Sequence, residues 1–155
     1  MSTQSATAGI VVAGGGTAGH VFPAIAVMQG LVDAGVDRAR LHYMGAKRGV
    51  ETSLSPRSGF DGTFVSVTGI SRKLSLGALK FVIQQSLATI RSLTLFRRWN
   101  VRAVVSVGGY ASLPAVIAAV VTRRPIIVVS YDRTPGRASR VAATGSTVTQ
   151  VAVKD

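Results

Sequence analysis

His20 follows directly on a glycine-rich run, Gly14-Gly15-Gly16-Thr17-Ala18-Gly19, and an imidazole can take up a proton near neutral pH. Glycines let the backbone turn sharply and let a ligand approach the N–H groups closely. Where a helix opens at such a turn, those N–H groups and the positive end of its dipole face an anion, commonly a phosphate. The chemistry this implies is a phosphate held by backbone amides beside a proton acceptor. The plainer alternatives are a close strand–helix crossover with no ligand and a histidine satisfied inside the fold. Gly14, Gly16 and Gly19 also match the G-x-G-x-x-G spacing of dinucleotide sites. Such a site wants an acid after the second strand to hold a ribose. Gly45-Ala46-Lys47-Arg48 offers none there, which counts against a nicotinamide cofactor.

The elements that would position these residues are legible around them. Ile10-Val11-Val12 is a β-branched strand leading into the turn, and Val21 to Val32 has apolar residues at helical spacing, with Pro23 in the first turn and Gly35 as the stop. Leu41 to Met44 reads as a second strand and Thr63 to Val67 as a third, with a weaker helix at Val50 to Ser58 between them. Thr68 to Ser75 reads as a loop. Leu76 to Trp99 is the longest helical stretch. Its Leu76, Leu79, Ile83, Leu87 and Ile90 recur at three and four, and are expected to face the core. Phe81, Val82, Leu93 and Phe96 lie on another arc, and Lys80, Arg91 and Arg98 share a line. An apolar surface beside a basic row fits a helix lying on a membrane. A helix buried on two sides with solvated charges fits as well.

The strand–glycine–helix pattern then recurs. Arg102 to Val107 is a fourth strand, Gly108-Gly109-Tyr110-Ala111-Ser112 a second glycine turn, and Leu113 to Thr122 a helix with Pro114 near its start. Ile126 to Val129 is a fifth strand, Arg137 to Ala143 a short helix and Val148 to Val153 a sixth strand. Strands alternating with helices throughout predict an α/β fold with a doubly wound, mostly parallel sheet. Glycine turns at the carboxyl ends of parallel strands could then face one crevice.

The totals bound the rest. A chain of 155 residues fits one domain, and 47% hydrophobic residues is enough to fill its core. Residues 1–8 are small and polar and read as a flexible tail without signal-peptide character, before a domain over 9–155. There is no cysteine, so disulfides and thiolate chemistry are excluded. No apolar run approaches the roughly 20 residues that span a bilayer. Eighteen Lys and Arg against six Asp and Glu give a net charge of +12, which attracts polyanions. Aromatic residues are only 6% and do not interleave with the basic ones, so phosphate-bearing or membrane partners rank above nucleic acid, and no nucleic-acid partner is expected. Neither a metal nor a cofactor is expected.

Gly15-Gly16-Thr17-Ala18-Gly19-His20-Val21-Phe22-Pro23 resembles the first glycine loop of the MurG family of glycosyltransferases. Val107-Gly108-Gly109-Tyr110-Ala111-Ser112-Leu113-Pro114 resembles the second, and Pro135 to Arg140 the segment after the fifth strand. The likeness runs in order over nearly the whole chain, and the two glycine loops together are specific. It implies a Rossmann-like domain, the N-terminal half of a two-domain enzyme that moves N-acetylglucosamine from UDP-N-acetylglucosamine to lipid I at the inner face of the bacterial cell membrane. It implies that Gly15, Gly16, Thr17, Ala18, Gly19, Gly108, Gly109, Tyr110, Ser112 and Asp132 bind the acceptor and its diphosphate, with His20 near the acceptor hydroxyl. Arg72, Lys73, Leu76, Leu79, Lys80 and Ile83 would form the membrane patch.

On this resemblance the donor-binding second domain, which would hold UDP-N-acetylglucosamine, is expected to be absent from the chain. A non-catalytic membrane-anchoring subunit of a split glycosyltransferase is the alternative. One stretch departs from the family: where His-Glu-Gln-Asn is usual, this chain has Val129-Ser130-Tyr131-Asp132, and an ionised Asp132 accepts but cannot donate a hydrogen bond.

Overall fold

The computed structural model describes residues 9–47, 58–67, 76–130 and 148–152, the last five as backbone. The expected helices at Val50–Ser58 and Arg137–Ala143 and the loop at Thr68–Ser75 lie outside the described residues, except for Ser58 in a turn. Among the described residues six strands are present: β1 (Gly9–Gly14), β2 (Leu41–Ala46), β3 (Gly62–Val65), β4 (Val101–Gly108), β5 (Ile126–Ser130) and β6 (Val148–Ala152). Three α-helices accompany them among the described residues: α1 (Ala18–Asp33), α2 (Leu76–Arg98) and α3 (Leu113–Val121).

The strands form one sheet in the order β3-β2-β1-β4-β5-β6, every neighbouring pair parallel. A parallel sheet needs helical crossovers and so buries both faces, which is why its central strands read as continuous apolar runs. Alternate residues sort cleanly between the faces. Val12, Tyr43, Val105 and Val107 meet Val21, Ala24 and Met28 of α1. Val11, Ala13, Met44, Val104 and Val128 meet Phe96 of α2 and Ala115, Val116, Ala118 and Ala119 of α3. The expected doubly wound α/β architecture is observed.

Two expectations are corrected. Helix α1 begins at Ala18, three residues before the expected Val21, because Ala18, Gly19 and His20 already take helical geometry behind Thr17. Pro23 therefore lies in the second turn, not the first, and cannot donate to the Gly19 carbonyl. The helix does stop at Gly35, whose N–H bonds Val32 O at 2.9 Å while the Val36 N–H bonds Leu31 O at 2.9 Å.

The second correction concerns α2. Leu79, Ile83, Leu87 and Ile90, expected to face the core, are 51–63% exposed. The side chains that do face inward on α2 are Gln85, Ala88, Ser92 and Phe96. Ala88 and Ser92 are small: Ser92 returns its hydroxyl to Ala88 O at 2.8 Å, and Ala88 packs with Ala46, Val65, Val67 and Ala111. Helical spacing says that the leucines share a face; the small residues decide which face is covered.

At the amino-terminal end of the sheet, His42 stacks on Trp99 with ring centroids 3.4 Å apart, and its Nε2 lies 3.1 Å from Thr63 Oγ1. Burial pushes its pKa down from 6.5 to about 4, against a smaller opposing pull from Asp61. The unfolded chain takes this proton below about pH 6.5 and the folded chain only near pH 4. Between those values the unfolded state binds more protons, so the stability contribution is complete above pH 6.5 and is lost as pH falls toward 4. The expected loss is about 2 kcal/mol by pH 4.5. Urea melts at pH 7.5 and pH 4.5 check it: His42→Gln should show the smaller difference, and equal differences in the two proteins would contradict this.

Candidate functional site

The two glycine turns meet. β1 and β4 are neighbours in the sheet, with Gly14 beside Gly108 and a register shift just before that pair. Strand order reverses between them, since β2 and β3 lie to one side and β5 and β6 to the other. Open α/β sheets bind ligands at this point, outside the carboxyl ends of the strands. Gly109 has φ of +81° and packs so closely that a Cβ there would fall on Gly15 O and within 2.9 Å of His20 Cδ2. Gly16, at φ +96°, lies against the ring of Tyr110 in the same way. Both positions need glycine for close approach as well as for their backbone angles.

The amino end of α1 opens into this crevice wall. Thr17 is the cap residue, with extended backbone at φ −148° and ψ 156°, and its side chain makes no capping bond. The His20 N–H bonds back to Thr17 O at 3.0 Å. The N–H groups of Ala18 and Gly19 have no acceptor among the described residues, as the first turn of a helix requires. With Thr17, they are exposed. His20 is half-buried, its ring against Gly109, and among the described residues neither ring nitrogen has a hydrogen-bond partner. The arrangement can hold an anion on backbone amides and the helix dipole, with an imidazole at its edge.

Gly15, Gly16, Thr17, Ala18, Gly19, His20, Gly108, Gly109 and Tyr110 are thus brought together. Ser112 is fully buried, and its hydroxyl donates to Gly109 O at 2.9 Å within the loop itself. Asp132 lies outside the described residues, as do Arg72 and Lys73. Leu79, Lys80 and Ile83 sit on the exposed side of α2, and Leu76 is its first residue. Among the described residues no helix is long and apolar enough to cross a membrane.

Sequence reasoning missed two residues that touch the loops. Tyr43 of β2 donates its hydroxyl to Gly14 O at 2.7 Å. Gln85 of α2 donates from Nε2 to Tyr110 O at 3.4 Å. A tyrosine in a strand expected to be buried was the available signal, since a buried phenol seeks a partner. Gln85 gave none, because the polar side of α2 reads as its solvent face.

Residues 10–153 match the model of the glycosyltransferase family 28 N-terminal domain. The chain is 35% identical over 132 residues to the UDP-N-acetylglucosamine--N-acetylmuramyl-(pentapeptide) pyrophosphoryl-undecaprenol N-acetylglucosamine transferase of Desulforudis audaxviator, covering 85% of this chain and 35% of that protein. It is 37% identical over 132 residues to the protein of the same description from Anaeromyxobacter dehalogenans, covering 85% and 34%. Among solved structures, Acinetobacter baumannii MurG superposes with a TM-score of 0.72 at 23% identity, over 91% of this chain and 40% of that one. The chain thus spans about a third of the length of the curated relatives it matches. With the paired glycine loops in place at the β1/β4 junction, the chain belongs to glycosyltransferase family 28, as its N-terminal domain.

Proposed function

We propose that this chain is the acceptor-binding domain of a hexosyltransferase of peptidoglycan synthesis, working at the cytoplasmic face of a bacterial membrane. The substrate is a lipid-linked diphosphate sugar, lipid I, and the donor is UDP-N-acetylglucosamine held by a second domain. The observation that carries this reading is the meeting of two glycine loops and an α-helix amino terminus at one crevice, with His20 against them. The loop amides and the helix dipole neutralise the acceptor diphosphate. His20 takes the proton of the acceptor hydroxyl as its oxygen bonds to the anomeric carbon of the donor and UDP leaves. The relatives' names include such a donor sugar and a pyrophosphoryl-undecaprenol acceptor, which supports the assignment.

The exposed face of α2 supports the lipid side of the reading. Leu79, Val82, Ile83, Leu87 and Ile90 present an apolar stripe outward, flanked by the row Lys80, Arg91 and Arg98. A protein surface seldom leaves so continuous an apolar row uncovered. Against an anionic bilayer the stripe enters the headgroup boundary and each basic residue contributes about 1 kcal/mol, screened within a Debye length.

Vesicle sedimentation tests this. The chain should bind anionic vesicles more tightly than neutral ones, more tightly still when they carry a polyprenyl diphosphate, and less tightly as salt rises. Replacing Ile83 and Leu87 by serine should remove most of the binding. Equal binding to neutral, anionic and diphosphate-bearing vesicles at low salt would sink the proposal.

A further inference from the structure

Three buried side chains each donate a hydrogen bond to a carbonyl of the two glycine loops. Tyr43 Oη reaches Gly14 O at 2.7 Å, Ser112 Oγ reaches Gly109 O at 2.9 Å and Gln85 Nε2 reaches Tyr110 O at 3.4 Å. They come from three places in the fold: β2, the 3-10 turn Tyr110–Ser112 of the loop itself, and α2. We infer that Tyr43, Gln85 and Ser112 are positioning residues that hold these carbonyls back from the crevice, so that the loops present N–H groups to an anion. The inference rests on the diphosphate reading of the crevice given above.

The physical reason lies in the peptide unit. A planar trans peptide points its C=O and the following N–H in opposite directions. Fixing Gly14 O fixes the direction of the Gly15 N–H, and fixing Gly109 O and Tyr110 O does the same for the N–H groups of Tyr110 and Ala111. Peptide units flanked by glycine rotate at little steric cost, so the glycines that make the close approach possible leave the carbonyls free to swing. A carbonyl turned inward would set its partial negative charge against a phosphate. Side-chain donors remove that alternative.

Gln85 is the informative member. It is only 6% exposed, and among the described residues its Oε1 has no hydrogen-bond partner. An unpaired buried acceptor is costly, and an apolar side chain of the same length would avoid it. The flipped amide would set Oε1 against Tyr110 O, acceptor against acceptor, so the orientation is settled by the contact. Its retention in the chain makes sense if the donated bond to Tyr110 O matters more than the lost one. Of the four buried polar side chains among the described residues, Gln85, Ser92, Ser106 and Ser112, two serve this loop.

The test is calorimetric titration of the 155-residue chain with inorganic pyrophosphate, at a temperature where each protein is folded, alongside its melting temperature. Tyr43→Phe and Gln85→Met keep shape and remove the donor. Each should weaken pyrophosphate binding about 3- to 10-fold, the worth of one hydrogen bond. Ser112→Ala should weaken it less, because the Ser112 N–H still reaches Gly109 O at 3.2 Å. A lowered melting temperature with unchanged pyrophosphate affinity in both Tyr43→Phe and Gln85→Met would overturn the inference and leave the crevice reading standing. Failure of the unaltered chain to bind pyrophosphate would overturn both together. Should Tyr43→Phe not fold, Gln85→Met decides alone, since it sits on a different element.

Discussion

Gly109→Ala is expected to lose pyrophosphate affinity by at least about 100-fold while the sheet stays folded. The added Cβ would fall on Gly15 O and press His20 Cδ2 at 2.9 Å. The two loops would have to part, and their separation is what makes a single anion site. The substitution also places an L side chain at φ +81°, costing about 1–3 kcal/mol. For a chain of this size that lowers the melting temperature by roughly 4–10 °C. Gly30→Ala is the matched control. It lies inside α1 with nothing within 4 Å of its added Cβ, so it should stabilise the helix by up to about 1 kcal/mol and leave binding alone. Retention of normal pyrophosphate affinity by a folded Gly109→Ala chain would show that the loops need not touch.

The second large effect concerns His20. In an enzyme that joins this chain to a donor-binding domain, His20→Ala should lower kcat by on the order of 100- to 10,000-fold, the range for lost general-base assistance. Folding should change little, since the ring is half-buried and makes no side-chain hydrogen bond among the described residues. A histidine that serves only packing gives the reverse pattern. A stability loss above roughly 2 kcal/mol with near-normal kcat would remove His20 from the chemistry. Both quantities are to be measured on one protein preparation.

The sheet was legible because a parallel strand buried on both faces is a short apolar run between glycine turns. β4 and β5 match their expected ranges to within one residue at each end, and β2 starts where expected. The two glycine loops were legible as motifs, but their contact is not a property of either stretch. It follows from β1 and β4 becoming neighbours, which local periodicity does not encode. The outward face of α2 was misread for a related reason. Leucines at helical spacing ordinarily mark the core side, but here Ala88 and Ser92 take it, with Ala88 packed against Ala46, Val65, Val67 and Ala111 from distant parts of the chain. Tyr43 and Gln85 find their loop carbonyls across 29 and 25 residues of chain, so no short window could pair them.

The central claim is that one anion sits between the two glycine loops. A pyrophosphate titration of the isotopically labelled chain, followed at every backbone amide, tests it directly. The account predicts that the largest shifts fall together on Gly15 to His20 and on Gly109 to Ala111, with one shared dissociation constant. Shifts confined to one loop, or spread over the basic surface around Lys80, Arg91 and Arg98 with the loops silent, would contradict it.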